Sequence, residues 1–117
     1  MTDGARRRKL EAELRRALAE LVARQVKDPR VGNVTITAVD LAPDMSHARV
    51  FFVPFAAHEP PAEVQAGLER ASGFLRGELG RRLRLRHAPR LEFRFDETLD
   101  QAQRLSSLID SAVRRGA

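Results

Sequence analysis

The sequence predicts an α+β fold in which helices pack against a small three-stranded sheet. Stretches with apolar residues three or four positions apart, typical of amphipathic helices, alternate with stretches that are β-branched or alternate in polarity, typical of strands. The predicted order is helix, strand, strand, helix, kink, helix, strand and terminal helix. The two consecutive strands share a short connection, so we expect an antiparallel hairpin, with the helices as a layer on the sheet.

The first half of the chain contains one helix and two strands. Arg6 to Val26 places leucines and valines at helical spacing, and Pro29 prevents the helix from continuing. Val34 to Leu41 is rich in β-branched residues, and Ala48 to Phe55 is largely apolar. Residues 44–47 between them have the composition of a turn, so both stretches are predicted strands.

The second half adds helix, strand and terminal helix. A helix begins after Pro60-Pro61, meets a small-residue break at Ala71-Ser72-Gly73 and resumes to about Arg84. Arg90 to Asp96 alternates in polarity, as expected of a half-buried strand. Thr98 to Val113 again has apolar residues at helical spacing and predicts an amphipathic terminal helix.

Composition indicates one domain with a polyanionic partner. The 117 residues include 21 Lys and Arg against 16 Asp and Glu, and 43% hydrophobic residues supply a packed core, ordered over about 6–113. Cysteine is absent, which excludes disulfides and thiolate metal sites. The longest apolar run, Val50 to Ala57, is too short to span a bilayer, and the charged start does not resemble a secretory signal. We therefore expect a cytoplasmic protein without a membrane partner.

Catalytic and metal-binding sites have little support in the sequence. The histidines are far apart and lack ligand spacing. Asp96, Glu97 and Asp100 form an acidic cluster, but acids at a predicted helix start stabilise the positive end of the helix dipole. Ser106 and Ser107 have no evident base nearby in sequence. We expect no enzymatic activity, no cofactor and no metal.

A basic segment is the strongest candidate for phosphate contacts. Arg81 to Arg90 contains five arginines and no acid, and arginine can donate paired hydrogen bonds to phosphate. On charge alone, a nucleic-acid surface and a solvated face are equally good interpretations. Since the chain has no Tyr or Trp, we expect contacts with the nucleic-acid backbone rather than base stacking.

Gly77 to Gly80 matches the short GxxG pattern of loops that clamp a nucleic-acid backbone. Leu79, however, continues an apolar stripe with Leu75 and Leu83, so a continuous helix is favoured here. Two glycines in a helix cost about 2 kcal/mol relative to alanine, which packing can offset.

Several short motifs occur in one order over most of the chain, from about Arg6 to Ile109. They are Val26-Lys27-Asp28-Pro29-Arg30-Val31-Gly32, Val34 to Val39, Gly73-Phe74-Leu75-Arg76, Leu85-Arg86 and Pro89-Arg90-Leu91. In combination they closely resemble the bacterial ribosome-binding factor A family.

The resemblance implies a type II KH-like domain in which an Ala-x-Gly interhelical kink, here Ala71-Ser72-Gly73, replaces the GxxG loop. It also implies non-catalytic binding to the immature small ribosomal subunit and its rRNA, with help in late maturation and 5′-end processing, and a role in cold adaptation. Other maturation factors, including GTPases, are implied partners, and a monomer is expected.

The residues expected to bind RNA combine the kink, where glycine permits close backbone approach, with nearby cations. They are Lys27, Arg30, Ser72, Gly73, Arg76, Arg81, Arg82, Arg86 and Arg90. Two other functions stay open: a ribonuclease acting on the precursor rRNA, and a protein-interaction module of the assembly machinery that docks through the terminal helix without direct RNA contact.

Overall fold

A computed structural model of the chain describes residues 3–26, 34–54 and 60–98. These residues form two helices and three strands: α1 (Asp3–Gln25), β1 (Val34–Leu41), β2 (His47–Pro54), α2 (Pro61–Arg82) and β3 (Arg90–Phe95). Each strand begins and ends within one residue of its predicted bounds, where those bounds are described. The predicted terminal helix lies outside the described residues apart from its first residue, and Lys27 and Arg30 lie outside them too.

The sheet has the order β1-β2-β3 and is mixed. β1 and β2 form the predicted antiparallel hairpin, whereas β3 runs parallel to β2, with His47 opposite Arg90 and Phe52 opposite Phe95. Parallel neighbours cannot be joined by a tight turn, and α2 supplies the crossover that they require. The prediction of helices on a three-stranded sheet is confirmed.

The core lies between one face of the sheet and the two helices. Strand pairing places three rows of apolar side chains on that face: Leu41, Ala48 and Leu91; Val39, Val50 and Phe93; Ile36, Phe52 and Phe95. Helical spacing supplies the opposing layer: Leu14, Leu18 and Leu21 from α1, and Leu68, Leu75 and Leu79 from α2. Side chains return to the same face every two residues in a strand and every 3.6 residues in a helix, and this spacing brings these leucines and aromatic residues together.

Both edge strands are tied to a helix by a carboxylate. The backbone N–H of Leu41 on β1 donates to Oε2 of Glu11 on α1, at 2.8 Å. On β3, the N–H of Phe93 donates to Oε1 of Glu69 on α2, at 3.2 Å. Each bond satisfies an edge donor that no neighbouring strand covers, which also makes the edge a poorer template for another chain.

Thr37 ties the two edges of the sheet together. The register shifts between Ile36 and Ala38, so Thr37 is the unpaired residue of a bulge. Its hydroxyl donates to Oδ2 of Asp96 just after β3, at 2.6 Å. The other carboxylate oxygen of Asp96 accepts the N–H of Thr98, at 3.1 Å, the contact of a helix N-cap. This acid therefore has a structural role, as predicted from its position before a helix.

α2 is continuous through Ala71, Ser72 and Gly73, where the sequence predicted an interruption. Leu68 and Leu75 on either side are fully buried, and their packing offsets the cost of about 1 kcal/mol for a glycine inside a helix. The chain therefore has one helix where two were expected, and a kink within it stays a prediction. The helix also continues through Gly77 to Gly80, so the preference for helix over a GxxG loop is confirmed.

An arginine occupies the left-handed position that ends α2. Arg84 has φ 52°, and the N–H of Leu85 donates to the carbonyl of Gly80 at 2.9 Å while that of Arg84 donates to Arg81 at 3.4 Å. These two bonds define a Schellman motif, in which glycine is the usual residue at this position because it has no Cβ. Leu85 packs partly buried against the core, the apolar contact that accompanies the motif.

Replacing Arg84 by glycine is therefore expected to raise the free energy of unfolding, by up to about 1 kcal/mol, since relief of the left-handed strain exceeds the entropy that glycine adds to the unfolded chain. Urea unfolding measures the change. Arg86→Gly is the control, because Met45 and Arg84 are the non-glycine residues with positive φ in the described part of the chain. A loss of stability in Arg84→Gly equal to that in Arg86→Gly would contradict the assignment of strain.

Candidate nucleic-acid interface

The parallel pairing of β2 and β3 brings two connections together at one end of the sheet. The N–H of Arg90, at the start of β3, donates to the carbonyl of Ser46, at 2.9 Å. We call the two connections, residues 42–46 between β1 and β2 and residues 83–89 between α2 and β3, the loop junction. Their contact places the arginine-rich segment of the sequence beside the hairpin turn.

The hairpin side of the loop junction is held by its own hydrogen bonds. The N–H of Met45 donates to the carbonyl of Ala42 at 2.8 Å, with Met45 at φ 62°. Oδ1 of Asp44 accepts both the N–H of Ser46, at 3.1 Å, and its hydroxyl, at 2.6 Å. The Ser46 hydroxyl bond is the main reason that the pKa of Asp44 lies below its ordinary value. Asp44 is therefore an ionised carboxylate with Oδ1 engaged in the turn.

Two of the predicted arginines, Arg76 and Arg86, line one pocket of about 530 Å³ at the loop junction. Nε of Arg76 donates to the carbonyl of Ala88 at 3.0 Å, which fixes the side chain and leaves its terminal nitrogens available. Arg86 is exposed, and no hydrogen bond or ion pair joins it to another described residue. Arg90 is also exposed at the edge of the junction. Arg76 and Arg86 are thus the two predicted RNA-binding residues that share this pocket, and Arg90 follows Pro89 of its lining.

Arg81 and Arg82 do not join this set. Five residues after Arg76, Arg81 lies about 140° further around the helix, where it pairs with Glu78. Nη1 of Arg82 lies 3.2 Å from Oε2 of Glu20 and so links α2 to α1. The arginine-rich segment of the sequence is thus divided between different surfaces.

Of the predicted kink residues, Ala71 is partly buried and packs against the hydrophobic core. Ser72 is half-buried and Gly73 exposed. A Cβ added at Gly73 would meet no heavy atom within 4 Å, so no packing in the described chain requires a glycine there.

Phe74 is a surface residue that belongs to one of the sequence motifs but was not among the predicted RNA-binding residues. It is 46% exposed, the one large apolar side chain exposed to this extent among the described residues. Leu75 and Leu79 set the buried stripe of α2, and Phe74 lies about 100° away from Leu75 on the helix. An apolar residue out of phase with the stripe was the signal that could have identified it. Arg70 and Arg81 lie on the same side of the helix as Phe74.

The outer face of the sheet carries paired charges. Nε2 of His47 lies 2.8 Å from Oε2 of Glu92, and Arg94 bonds to Oε1 of the same carboxylate. The bond from His47, followed by that from Arg94, holds the pKa of Glu92 below its ordinary value. This network pairs His47 and Arg94 with Glu92, which leaves these two cations less available to phosphates than Arg86 is.

The described residues contain neither a cluster of metal-ligating side chains nor a helix suited to cross a membrane. Within residues 3–26, 34–54 and 60–98, no group of three or more His, Cys, Asp and Glu side chains is placed to hold a metal ion. Neither of the described helices has the length and apolar character that crossing a membrane requires.

Fold and surface together define a small α+β domain with arginines concentrated beside a parallel strand pair. The family profile described as "Ribosome-binding factor A" matches residues 6–109. Ribosome-binding factor A of Azoarcus sp. (strain BH72) is 49% identical over 110 residues, which cover 94% of this chain and 87% of that protein. The protein of that name from Natranaerobius thermophilus is 43% identical over 106 residues, covering 91% and 81%.

Solved structures give the same result. The crystal structure of ribosome-binding factor A from Thermus thermophilus has a TM-score of 0.67 and 39% identity, covering 75% of this chain and 93% of that one. A Thermus thermophilus homology model fitted into the cryo-electron microscopy map of a 30S–RbfA complex has a TM-score of 0.62 and 40% identity, covering 73% and 89%. The chain belongs to the ribosome-binding factor A family, and its fold is KH-like.

Glu92→Gln is expected to remove a pH-dependent contribution to stability. Because the pKa of folded Glu92 is lowered from 4.5, its ionised form stabilises the fold above that value, and the contribution is lost as the pH falls through the folded pKa. Urea unfolding at pH 6 should show the variant less stable than the parent, with the difference disappearing in acid. Glu13→Gln, without a described partner, is the control and should match the parent at pH 6. An effect of Glu92→Gln that persists unchanged in acid would contradict this origin.

Arg82 and Arg86 are expected to differ in their effect on stability. A double-mutant cycle of Arg82→Gln with Glu20→Gln should give a coupling free energy of up to about 1 kcal/mol, since the pair joins two helices at the surface. Arg86→Gln should change the free energy of unfolding by less than about 0.5 kcal/mol. A larger loss in Arg86→Gln than in Arg82→Gln would show that Arg86 has a structural partner.

Proposed function

We propose that this protein associates with the free immature small ribosomal subunit and assists late maturation, including 5′-end processing of its rRNA, by binding RNA without catalysing a reaction. Family membership supports the ribosomal partner, as does the fitted 30S complex of its Thermus thermophilus relative. The observation in this chain that carries the RNA-binding part is the loop junction, where Arg76 and Arg86 line one pocket and neither is paired with an acid of the described residues.

The proposed contacts are mainly with phosphates. Arg76, Arg86 and Arg90 present guanidinium groups, which match phosphate oxygens with paired donors. Ser72 and Gly73 would allow an RNA strand to approach α2 closely. Lys27 and Arg30 would extend the basic surface. Arg81 and Arg82 contribute long-range charge, because their guanidinium groups are occupied by Glu78 and Glu20.

Occupying rRNA in this way holds the subunit in an immature conformation until a later factor displaces the protein. The protein acts as a monomer in the cytoplasm, and GTPases of subunit maturation are the partners proposed for its release. Catalysis of the rRNA cleavage is assigned to another protein: beside its arginines the loop junction holds Asp44, which is engaged in the turn, and the exposed His87, and no hydrogen bond joins these two described side chains.

Phe74 favours a second function, that of a protein-interaction module. An exposed aromatic flanked by arginines is the composition of an interface anchor. Binding to subunits that withstands both high salt and nuclease treatment, and is lost in Phe74→Ser, would favour this second function over RNA binding.

Sedimentation with free small subunits, large subunits and assembled ribosomes tests the proposed function. We expect co-migration with immature small subunits alone, decreasing as salt is raised because phosphate contacts release counterions. Equal binding to all three particles would show that the protein binds polyanions without specificity. Binding that does not depend on salt would contradict phosphate contacts.

The double variant Arg86→Gln, Arg90→Gln tests the loop junction itself. It should weaken subunit binding and lower the slope of log affinity against log salt by about 0.7–0.9 for each phosphate that is no longer neutralised. Arg15→Gln with Arg16→Gln, on the exposed side of α1, removes the same charge and is the matched control. Equal losses in both double variants would mean that net charge alone determines binding.

A further inference from the structure

We infer that the pocket at the loop junction takes one unstacked base of single-stranded RNA, with the base edge at Asp44 and its phosphate at Arg86. The inference deepens the proposed function and rests on it. It adds a base contact to a surface for which the sequence predicted only backbone contacts. Four features of the pocket support the inference: its apolar wall, the carboxylate of Asp44, the guanidinium groups of Arg76 and Arg86, and the strained backbone of its two loops.

The wall of the pocket is apolar on several sides. Leu10 of α1, Met45 of the hairpin turn and Leu85 of the α2–β3 connection line it, each half-buried, and Pro89 is fully buried beneath. The volume of about 530 Å³ falls within the range of small-ligand sites. A flat, apolar base face fits such a wall, and the polarisable thioether of Met45 makes favourable contacts with aromatic rings.

The polar groups of the pocket match the two ends of a nucleotide. Asp44 has Oδ1 bonded to Ser46, so Oδ2 remains to accept a hydrogen bond from an amino group on a base edge. Arg76, fixed by the Ala88 carbonyl, and Arg86 lie on the same pocket and match a phosphate. A phosphate alone would not use the carboxylate, and a plain apolar ligand would use neither arginine.

Backbone strain is concentrated at the same place. Met45 and Arg84, the non-glycine residues with positive φ in the described ranges, lie on the two halves of the loop junction. Such conformations cost free energy and, besides helix ends and turns, cluster at ligand clamps and active sites. At Met45 the strained backbone presents a large side chain to the pocket where glycine would be the easier residue.

Binding of three oligonucleotides with equal numbers of phosphates tests the inference: oligocytidine, oligouridine and an abasic strand. Cytidine carries an amino donor where uridine carries a carbonyl acceptor, so a carboxylate at that edge distinguishes them. We expect oligocytidine to bind about tenfold more tightly than the abasic strand and more tightly than oligouridine. All three should show the same salt slope, because the phosphate contacts are shared.

Two variants separate the base contact from the phosphate contacts. Met45→Gly relieves strain, so the fold is retained, and should lose most of the tenfold difference between cytidine and abasic strands while keeping the salt slope. Asp44→Asn should lose the preference for cytidine over uridine. Arg84→Gly, which relieves strain without removing a wall of the pocket, is the matched control and should keep both preferences.

Equal affinity for the cytidine and abasic strands would overturn the inference, as would a Met45→Gly protein that retains the full difference. Failure to bind any oligonucleotide, with retained salt-dependent binding to small subunits, would also overturn it while leaving the proposed function in place. Loss of binding to both oligonucleotides and subunits would overturn the two together.

Discussion

The parallel pairing of β2 with β3 is the constraint on which the rest of the structure depends. Parallel strands need a crossover, so α2 must return along the sheet before β3 begins. This return buries Leu68, Leu75 and Leu79 against the sheet and places the end of α2 beside the hairpin turn. The arginines of the α2–β3 connection then meet the turn through the bond from Arg90 to Ser46. The basic surface is therefore a consequence of how the sheet is completed.

The way in which α2 ends determines the shape of the surface at the loop junction. A helix that stopped without a left-handed residue would not turn Leu85 back onto the core, and the pocket would lose a wall. Arg84 provides this turn with a left-handed backbone, whose cost in free energy glycine would avoid. Met45, on the other side of the junction, has a left-handed backbone with a similar cost. Ion pairing separates the surrounding arginines by role, since Arg82 links the helices whereas Arg86 faces solvent.

Local patterns in the sequence predicted the helices and strands. The grouping of side chains on the surface could not be predicted in this way, because it depends on the topology. The leucines of α2, the β-branched strand β1 and the hairpin followed from periodicity and turn composition, because these depend on neighbours along the chain. The continuity of α2 through Gly73 was missed, because burial of distant leucines outweighs the local cost of glycine. The grouping of Arg76 with Arg86, and the separation of Arg81, depend on helix rotation and on partners such as Glu78. The exposure of Phe74 likewise depends on which face α2 buries.

Hydrogen exchange of the protein, free and bound to immature small subunits, tests most directly the claim that the loop junction is the RNA-binding surface. We expect slower exchange on binding in residues 42–47 and 83–90, with α1 unchanged around the exposed Arg15 and Arg16. Slowing confined to α1, or to the outer face of the sheet around Glu92, would contradict it.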